Sequence, residues 1–425
     1  MSVQILQRDG EQVTIEVRIR LTGSLLQMEE QIQQTLNETG SLATQEALSR
    51  FDTDGSPIDI GGIRLTSKGQ EPKHYQTPYG QVTVPRHVYQ SSQGGKTFCP
   101  LEREARIIVA STPRFAKQVA HKYAETSGAA VVRDLEENHG RHVTTKFIQD
   151  ITQAVASIAQ AKEESWTYEV PKLDKAVETI SIGLDGTCVL FSENGYRQAM
   201  VGTISLYDSL GERLHTIYVG ASPEYGKAQF LRRMQREVEM IKTNYPEAYR
   251  LGLADGASDN WTFLKQHTQG QLIDFYHASE YLGDVAKVLW PKNLAQRELW
   301  MEEHCHQLKH KQGAATRQLK EMRTVMERKL SPSKKDTLQK AITYFENHHH
   351  QMNYSKHWNQ HHPIGSGVTE AACKVLVKQR LCRSGMKWKA EGSRLVLSLR
   401  SLVLTADRWK QFWKKIDQYG LNMAL

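Results

Sequence analysis

At 425 residues the chain is too long for a single compact core, and we expect two to four domains. Hydrophobic residues make up 39% and aromatic residues 8% of the sequence, which excludes an intrinsically disordered protein. No apolar run approaches the ~18 residues that span a membrane, and the first residues lack the basic-then-apolar layout of a secretory signal. Five scattered cysteines without C-x-x-C spacing indicate reduced thiols, so we predict a cytoplasmic protein.

The formal net charge of +8 is concentrated near the C-terminus. Residues 371–415 contain twelve Lys or Arg and two acids, so this segment alone exceeds the positive excess of the whole chain. Such a surface attracts a polyanion, and salt weakens the attraction. The alternative is a pair of solvated basic helices that bind nothing.

Residues 1–110 are predicted to form a mixed region with β-hairpins. The stretch 58–90 alternates apolar and polar residues, with Gly and Pro at the breaks, which is typical of short paired strands. Residues 1–50 combine an alternating strand with a polar helical stretch and indicate no function.

Residues 111–165 change to a helical period and contain three short helices with tight connections. This pattern fits a helix-turn-helix-like DNA-binding domain, in which the third helix would read the DNA. The candidate contact residues at the start of that helix are Thr144, Thr145 and Lys146. An ordinary three-helix packing module, with Thr145 and Lys146 in a solvated cap, accounts for the pattern equally well.

Residues 175–278 predict an α/β core. Three strand-like runs joined by Gly-containing turns are followed by a helix, a strand, a helix and a strand. This β-β-β-α-β-α-β order is what an RNase H-like catalytic core requires. Residues 279–362 have helical patterning and few strand signals, so we predict an all-helical insertion, and residues 363–425 are predicted to add a short helix and basic C-terminal helices.

Three acids stand where a nuclease-type metal site needs them. Asp185 lies near the end of the first buried strand, Asp255 closes the fourth, and Glu370 follows a Gly-rich break at the start of a helix. If the two strands are neighbours, these carboxylates can hold two Mg²⁺ (or Mn²⁺) ions against a phosphodiester. Each acid alone is a weak signal, because an Asp before Gly is usually a turn residue, and only the joint placement indicates a site.

Two histidine-containing elements accompany the acids. Asp274 and His277, predicted at the end of the fifth strand, would tune the site through a phosphate contact or a proton shuttle; alternatively they order the turn into the insertion. The His-rich stretch 348–362 has no cysteine nearby and no regular ligand spacing. We therefore expect a solvated polar linker first and phosphate contacts second, and regard a zinc site as unlikely.

Trp290 and Trp300 in the insertion would stack on an extruded base, although core packing is the favoured interpretation.

A run of cations follows Glu370 closely and would grip a DNA backbone that leads into the metal site. These candidate phosphate contacts are Lys374, Lys378, Arg380, Arg383, Lys387 and Lys389.

With these residues in hand, the chain resembles the bacterial insertion-sequence transposases of the ISKra type, in the DDE superfamily with Mutator-like relatives. The resemblance rests on IGLDGT, GLADGASDNW, IDFYHASEYL and GSGVTEAACK, in that order, with TPYGQVTVPRHVY and CPLE upstream. It extends from about residue 58 to the C-terminus, and its motifs are specific only in combination.

The resemblance implies an RNase H-like fold with Asp185, Asp255 and Glu370 as the metal-binding triad, and it matches Asp274 and His277 to an accessory acid-x-x-His element. It also implies a helical insertion before Glu370 and binding of terminal inverted repeats through the N-terminal helices. The chain departs from relatives that carry a C-x-x-C zinc ribbon, because only Cys99 stands in that region, and we therefore do not expect zinc there.

The sequence thus predicts a DNA transposase that cleaves transposon ends and transfers the free 3′-hydroxyl to target DNA with two metal ions. Because two ends must be paired before joining, we expect a homodimer or a larger assembly in the bacterial cytoplasm, associated with the nucleoid. Two alternatives remain: an RNase H-like nuclease without joining activity, and a transposase-derived DNA-binding protein without catalysis.

Overall fold

The computed structural model describes residues 2–255 and 258–421. The protein is a mixed α/β protein that divides into two compact units: the first comprises Met1–Tyr168 and Arg408–Leu425, the second Glu169–Asp407. The predicted segment 363–425 therefore contributes to both units. Within the described ranges, no helix combines the length and the apolarity that a membrane crossing requires.

The first unit contains a two-stranded sheet, a four-stranded antiparallel sheet and a group of helices. Its elements up to residue 161 are β1 (Ser2–Asp9), β2 (Gln12–Arg18), α1 (Leu25–Ser49), β3 (Ile58–Ile60), β4 (Ile63–Gln76), β5 (Gln81–Ser91), β6 (Gly94–Phe98), α2 (Pro100–Glu104), α3 (Pro113–Glu125), α4 (Gly128–His139) and α5 (Thr145–Ala161).

The hairpins predicted for residues 58–90 and the three helices predicted for residues 111–165 are confirmed. Local signals set the helix ends: the Ser127 side chain accepts a hydrogen bond from the Ala130 N–H at the start of α4, and Gly140 ends it in the left-handed conformation. Strand β6 was not predicted, because its first two residues are glycines with positive φ that resemble a turn.

The second unit is built on one five-stranded sheet with the order β11-β10-β7-β8-β9. Its elements are β7 (Thr179–Phe191), β8 (Gly195–Tyr207), β9 (Arg213–Ala221), α6 (Lys227–Asn244), β10 (Tyr249–Ala254), α7 (Ser258–His267), β11 (Gly270–Ile273), α8 (Phe275–Leu289), α9 (Leu294–His310), α10 (Ala314–Met326), α11 (Pro332–His348), α12 (Tyr354–Asn359), α13 (Gly367–Ala372), α14 (Gln379–Leu381) and α15 (Ala390–Leu404). A π-helical turn, Cys373–Lys378, joins α13 to α14. The last helix of the chain, α16 (Arg408–Tyr419), belongs to the first unit.

Strands β7, β8 and β9 are antiparallel, whereas β10 and β11 run parallel to β7. The chain therefore has the predicted succession of three antiparallel strands, a helix, a strand, a helix and a strand. Helix α6 covers one face of the sheet with its apolar stripe, Phe230, Met234, Val238 and Ile241, as its 3.6-residue period predicted.

The opposite face of the sheet carries α13, the π-helical turn and α15. Two glycines make this close approach feasible: a side chain on Gly183 in β7 would overlap Thr369 of α13, and one on Gly220 in β9 would meet Leu376 of the π-helical turn. The hydroxyl groups of Thr203 and Thr369 then lie 2.7 Å apart in the buried interface between β8 and α13.

Two predicted placements were wrong. Strand β7 continues to Phe191, so Asp185 stands in its middle and not near its end, because the β7–β8 hairpin extends beyond the region where β10 pairs. Strand β11 ends at Ile273, and Asp274 is the N-cap of α8.

The segment predicted as an insertion is helical in its described structure, from α8 to α12. Trp300 is buried and packs against the His304 ring, 3.7 Å between centroids, and Trp290 lies 6.1 Å from Trp300. The packing interpretation of both tryptophans is therefore the better one.

Candidate active site

The parallel pairing of β7 and β10 ends two residues before Asp185 and Asp255, and so brings both acids to the same part of the sheet. Gly183 pairs with Leu253 in the register of these strands, and each acid follows two residues later. Because side chains alternate along a strand, the residue two positions on points to the same face. Asp185 therefore faces α13, as Gly183 does.

Glu370 reaches this face from the first turn of α13. The N–H of Glu370 donates to the Ser366 carbonyl at 3.0 Å, and the Ser366 hydroxyl donates to Glu370 Oε1 at 2.7 Å. Helix α13 itself is seated on β7 and β8 through Gly183 and the Thr203–Thr369 contact. The sheet and the helix together fix where the third carboxylate stands.

All three acids line one cavity of about 210 Å³. Its walls are formed by Leu184, Asp185, Ala254, Asp255, His277, Ser366, Thr369 and Glu370. The residues predicted as a triad from three distant parts of the chain are thus brought together at one small polar site.

Asp274 holds the loop before α13 against the start of α8. Its side chain is fully buried; Oδ1 accepts the His277 N–H at 2.7 Å, and Oδ2 accepts the Ser366 N–H. The Phe275 N–H also donates to the Ile364 carbonyl at 3.1 Å. Both carboxylate oxygens of Asp274 are therefore engaged, and this geometry matches the turn-ordering interpretation of the residue.

His277 lies between the buried Asp274 and the cavity. Its Nδ1 atom is 3.3 Å from Asp274 Oδ1 and 4.0 Å from Glu370 Oε1. Partial burial disfavours the charged imidazolium, but the negative charge of Asp274, with further contributions from Glu280 and Glu370, outweighs it and raises the pKa of His277. The ring thus keeps a proton beside the carboxylates to a higher pH than a solvated histidine.

Cys373 was not predicted as part of the site. Its thiol donates to Asp185 Oδ2 at 3.2 Å, while the Gly186 N–H donates to Asp185 Oδ1 at 2.6 Å. Burial and, next, the charge of Asp185 raise the pKa of the Cys373 thiol. Cys373 therefore acts as a neutral donor that orients Asp185. Its spacing three residues after Glu370 was the signal in the sequence, but only the position of α13 over β7 gives that spacing a meaning.

The donor set of the cavity fits a hard divalent cation. Asp185, Asp255 and Glu370 offer carboxylate oxygens, the ligands that Mg²⁺ and Mn²⁺ prefer. Each carboxylate has about four acceptor positions, so Asp185 and Glu370 can accept more than the hydrogen bonds from Gly186, Cys373 and Ser366. The thiol of Cys373 is protonated, which disfavours the thiolate ligation typical of zinc.

A different set of atoms, which includes only one of the three acids, meets the distance requirement for a single cation. Among the described residues, ligand atoms of Asp274, His277 and Glu370 lie within 4.8 Å of one another. A cation there would have to displace the bonds that Asp274 makes to His277 and Ser366, and Asp274 has no exposed surface. We therefore regard Asp274 as a positioning residue and the three-acid cavity as the candidate metal centre.

A buried arginine holds the helix that follows Glu370. The guanidinium of Arg400 on α15 donates to the carbonyl of Leu376 at 2.8 Å and to that of Val375. Helical turns that depart from the α pattern leave carbonyls in need of donors, and Arg400 supplies them. Its role is thus structural, although it belongs to the basic segment 371–415.

The basic residues after Glu370 divide into two groups. Lys374, Lys378, Arg383, Lys387 and Lys389 are exposed, and the first two line a larger cavity of about 760 Å³ that shares Asp185 and Glu370 with the three-acid cavity.

Arg380 is a correction to the predicted set of phosphate contacts. It is only 2% exposed, with its guanidinium 5.1 Å from the ring centre of Trp388. It packs inside the unit because the helix turns it away from the surface that carries Lys374 and Lys378.

The three-helix region lacks a basic surface at its predicted reading helix. Thr144 is the N-cap of α5 and accepts the Phe147 N–H at 3.2 Å, and Lys146 forms an ion pair with Asp150 in the same helix. Thr145 is exposed beside it. Residues 111–165 contain seven basic and seven acidic side chains. These contacts match the interpretation as a capped packing module.

The His-rich stretch 348–362 is structured, so its interpretation as a solvated linker was wrong. His357 is buried in α12, its Nδ1 atom lies 3.1 Å from Nδ1 of His362, and His362 stacks on Tyr249 with 4.7 Å between ring centres. Burial, with the nearby positive groups, lowers the pKa of His357 to about 4. Both rings are therefore neutral near pH 7.

No protein-family model matches this sequence, and no curated protein matches it significantly.

The five cysteines are all free thiols.

Proposed function

We propose that this protein is a DNA transposase, a metal-dependent polynucleotidyl transferase with an RNase H-like core. The observation that carries the proposal is that Asp185, Asp255 and Glu370 line one cavity on the five-stranded sheet. If strands β7 to β11 are numbered 1 to 5 in chain order, their order across this sheet from β9 to β11 is 3-2-1-4-5. The resemblance of the motifs around these acids to transposases of the ISKra type adds to it. The substrates would be terminal inverted repeats and target DNA, acted on by a homodimer or larger assembly.

The chain's own residues suggest how the site operates. Asp185, Asp255 and Glu370 would hold two Mg²⁺ or Mn²⁺ ions, which polarise the scissile phosphodiester and stabilise charge on the attacking and leaving oxygens. Cys373 and Gly186 orient Asp185, while Ser366 orients Glu370. His277, whose Nδ1 atom lies 4.0 Å from Glu370 Oε1 in the cavity wall, would donate a hydrogen bond or a proton to a phosphate oxygen bound there. Lys374 and Lys378 would attract the DNA backbone to the adjoining groove.

The decisive experiment incubates the purified protein with DNA that carries the flanking ends of its own gene, with Mg²⁺, with Mn²⁺ and with EDTA. Wild type is compared with Asp185→Asn, Asp255→Asn and Glu370→Gln, and both nicked and joined products are scored. We expect metal-dependent joined products from wild type and a loss of at least about 10³-fold in each variant, as for removal of an essential catalytic group.

Each other outcome selects an alternative. Nicked products without joined ones would identify an RNase H-like nuclease. Tight DNA binding with no cleavage in either metal would identify a DNA-binding protein without catalysis. Cleavage that survives in all three variants would contradict the assignment of the three acids.

A further inference from the structure

One exposed aromatic side chain, Tyr276, belongs to the residue that directly precedes His277 in the wall of the three-acid cavity. Tyr276 lies in the first turn of α8, between the buried anchor Asp274 and the cavity residue His277. Consecutive Cα atoms are ~3.8 Å apart, so the backbone of Tyr276 is adjacent to that of a cavity-lining residue. Its side chain nevertheless takes no part in the functions described above.

The Tyr276 ring lies against the backbone of the loop at Gly365 and is not part of the hydrophobic core. A side chain on Gly365 would stand 3.0 Å from Tyr276 Cε2, so the glycine leaves the ring room to lie close to the loop backbone. Phe275 meets it edge-on at 5.9 Å between centroids. Even so, 65% of Tyr276 is exposed, whereas the neighbouring aromatic Tyr354 is fully buried.

The support beneath this ring is rigid. The Phe275 N–H bond to the Ile364 carbonyl and the Ser366 N–H bond to Asp274 fasten the 364–366 loop to the first turn of α8. A planar ring that rests on fixed backbone and leaves much of its surface open suits stacking, because little conformational freedom is lost when a second ring covers it.

Nucleobases are the planar rings that the proposed substrate would bring to this position. Base–aromatic stacking is tolerant of sequence, since every base has a π face. Inside a duplex these faces are covered by neighbouring base pairs, so a base must leave the stack to meet a protein ring.

We infer that Tyr276 is a stacking platform for an unpaired nucleotide beside the scissile phosphate. The inference rests on the proposed function and deepens it, because it states that the DNA is locally unstacked at the cleavage site. It also gives Gly365 a role, which is to leave room for the tyrosine ring.

The test compares cleavage by wild type, Tyr276→Ala and Tyr276→Phe. Once the cleaved phosphate is mapped with wild type, each protein is given intact DNA and DNA with an abasic site on either side of that phosphate. Tyr276→Ala should lower kcat/KM about tenfold on intact DNA, the effect of one lost stacking contact. Tyr276→Phe keeps the ring and should stay within about twofold of wild type.

The abasic substrates make the result specific for stacking. At one of the two flanking positions, removing the base should lower the kcat/KM of wild type by about the same factor as Tyr276→Ala lowers it on intact DNA. Tyr276→Ala acting on that abasic DNA should then show no further loss, because the ring and the base belong to the same contact. Losses that multiply, or a Tyr276→Ala variant as active as wild type, would overturn the inference.

Two controls keep the outcomes separable. Thermal melting checks that Tyr276→Ala folds. If the variant does not fold, the abasic substrates still test the inference with wild type alone. An unchanged kcat/KM on abasic DNA at both flanking positions would reject stacking. A wild-type protein that cleaves no DNA contradicts the proposed function and the inference together. A wild type that cleaves normally beside an unaffected Tyr276→Ala contradicts only the inference.

Discussion

At the scale of single residues, the site depends as much on small and neutral side chains as on its acids. Gly183 lets α13 approach β7, and the thiol of Cys373 and the hydroxyl of Ser366 each donate to one carboxylate. Such donors fix the direction of a carboxylate without adding a charge that would compete with a cation. The orientation of the carboxylates therefore depends on uncharged neighbours as well as on the acids themselves.

Replacing Gly183 by Ala should disturb the candidate site from beneath. The added methyl group would overlap Thr369 and stand 3.0 Å from Thr203 Oγ1, so α13 would have to shift. We expect a loss of about 2 kcal/mol in the free energy of unfolding and, with Glu370 displaced, reduced metal-dependent cleavage. Urea denaturation measures the first and the cleavage assay the second.

The matched control for this substitution is Gly283→Ala. Its nearest neighbour outside the local helix backbone is Met301 at 3.8 Å, an ordinary van der Waals distance, and Ala favours a helix over Gly by up to about 1 kcal/mol. Gly283→Ala should therefore be neutral or stabilising. Equal destabilisation by both changes would refute the steric argument for Gly183.

His357 predicts a specific pH dependence of stability. Its pKa is lowered to about 4 in the folded protein and returns to ~6.5 on unfolding, so between these values the unfolded chain binds the additional proton. The free energy of unfolding should therefore fall as the pH drops from 6.5 to 4, with up to about 3 kcal/mol due to this residue. His357→Gln should flatten the pH profile measured by urea denaturation in this window.

His361→Asn serves as the control in the same segment. His361 is exposed and has a φ of 56°, a conformation that Asn tolerates. The variant should keep the wild-type slope between pH 4 and 6.5. A slope unchanged in His357→Gln would show that the buried ring is not the titrating group.

At the scale of elements, the two regions predicted to contact DNA differ in their available charge. The π-helical turn after α13 presents Lys374 and Lys378 beside the three-acid cavity, whereas the first turn of α5 uses its only lysine in an ion pair with Asp150. We therefore expect electrostatic binding of DNA to depend on the π-helical turn and not on α5.

Salt dependence of binding separates these elements. If Lys374 neutralises one phosphate, Lys374→Gln should reduce the slope of log K against log salt by about 1. Lys146→Gln should leave the slope unchanged, because Lys146 is already paired with Asp150. Fluorescence anisotropy at several salt concentrations measures both slopes, and the opposite ranking would restore α5 as the DNA-contacting helix.

At the scale of the whole molecule, the first unit is completed by the far end of the chain. Helix α16 buries Trp409, Phe412, Trp413 and Ile416 in that unit, and the Phe412 ring lies 5.9 Å from Trp166. The C-terminal helix thus belongs to the packing of the N-terminal unit, while the candidate site is built entirely from the second.

Phe412→Ala should weaken the first unit in particular. Removing a fully buried ring costs about 3–5 kcal/mol, and the backbone amides of α3 and α5 should then exchange faster than those of β7 and β8. Hydrogen exchange measured by mass spectrometry tests this difference. Tyr419→Ala, at a position that is 51% exposed, should have a much smaller effect, and uniform acceleration in both units would contradict the division.

Much of the secondary structure could be predicted because it depends on local patterns. The 3.6-residue stripe of α6, the Gly-containing turns between β7 and β9, and the Ser and Thr caps of α4 and α5 all act within a few residues. Predictions failed where the signal was ambiguous locally, as in the glycines of β6, or where distant packing decided, as in the His-rich stretch held by Tyr249.

By itself, the sequence determined the order of strands and helices in the second unit and the three acids, because periodicity, turn residues and the placement of charged residues are local properties. Tertiary structure alone decided the rest. It set the register that brings Asp185 and Asp255 to the same part of the sheet, the approach of α13 that adds Cys373 to the site, the burial of Arg380 and Arg400, and the assignment of α16 to the first unit. Each of these depends on which surfaces exclude water from one another, and that is a relation between segments far apart in the chain.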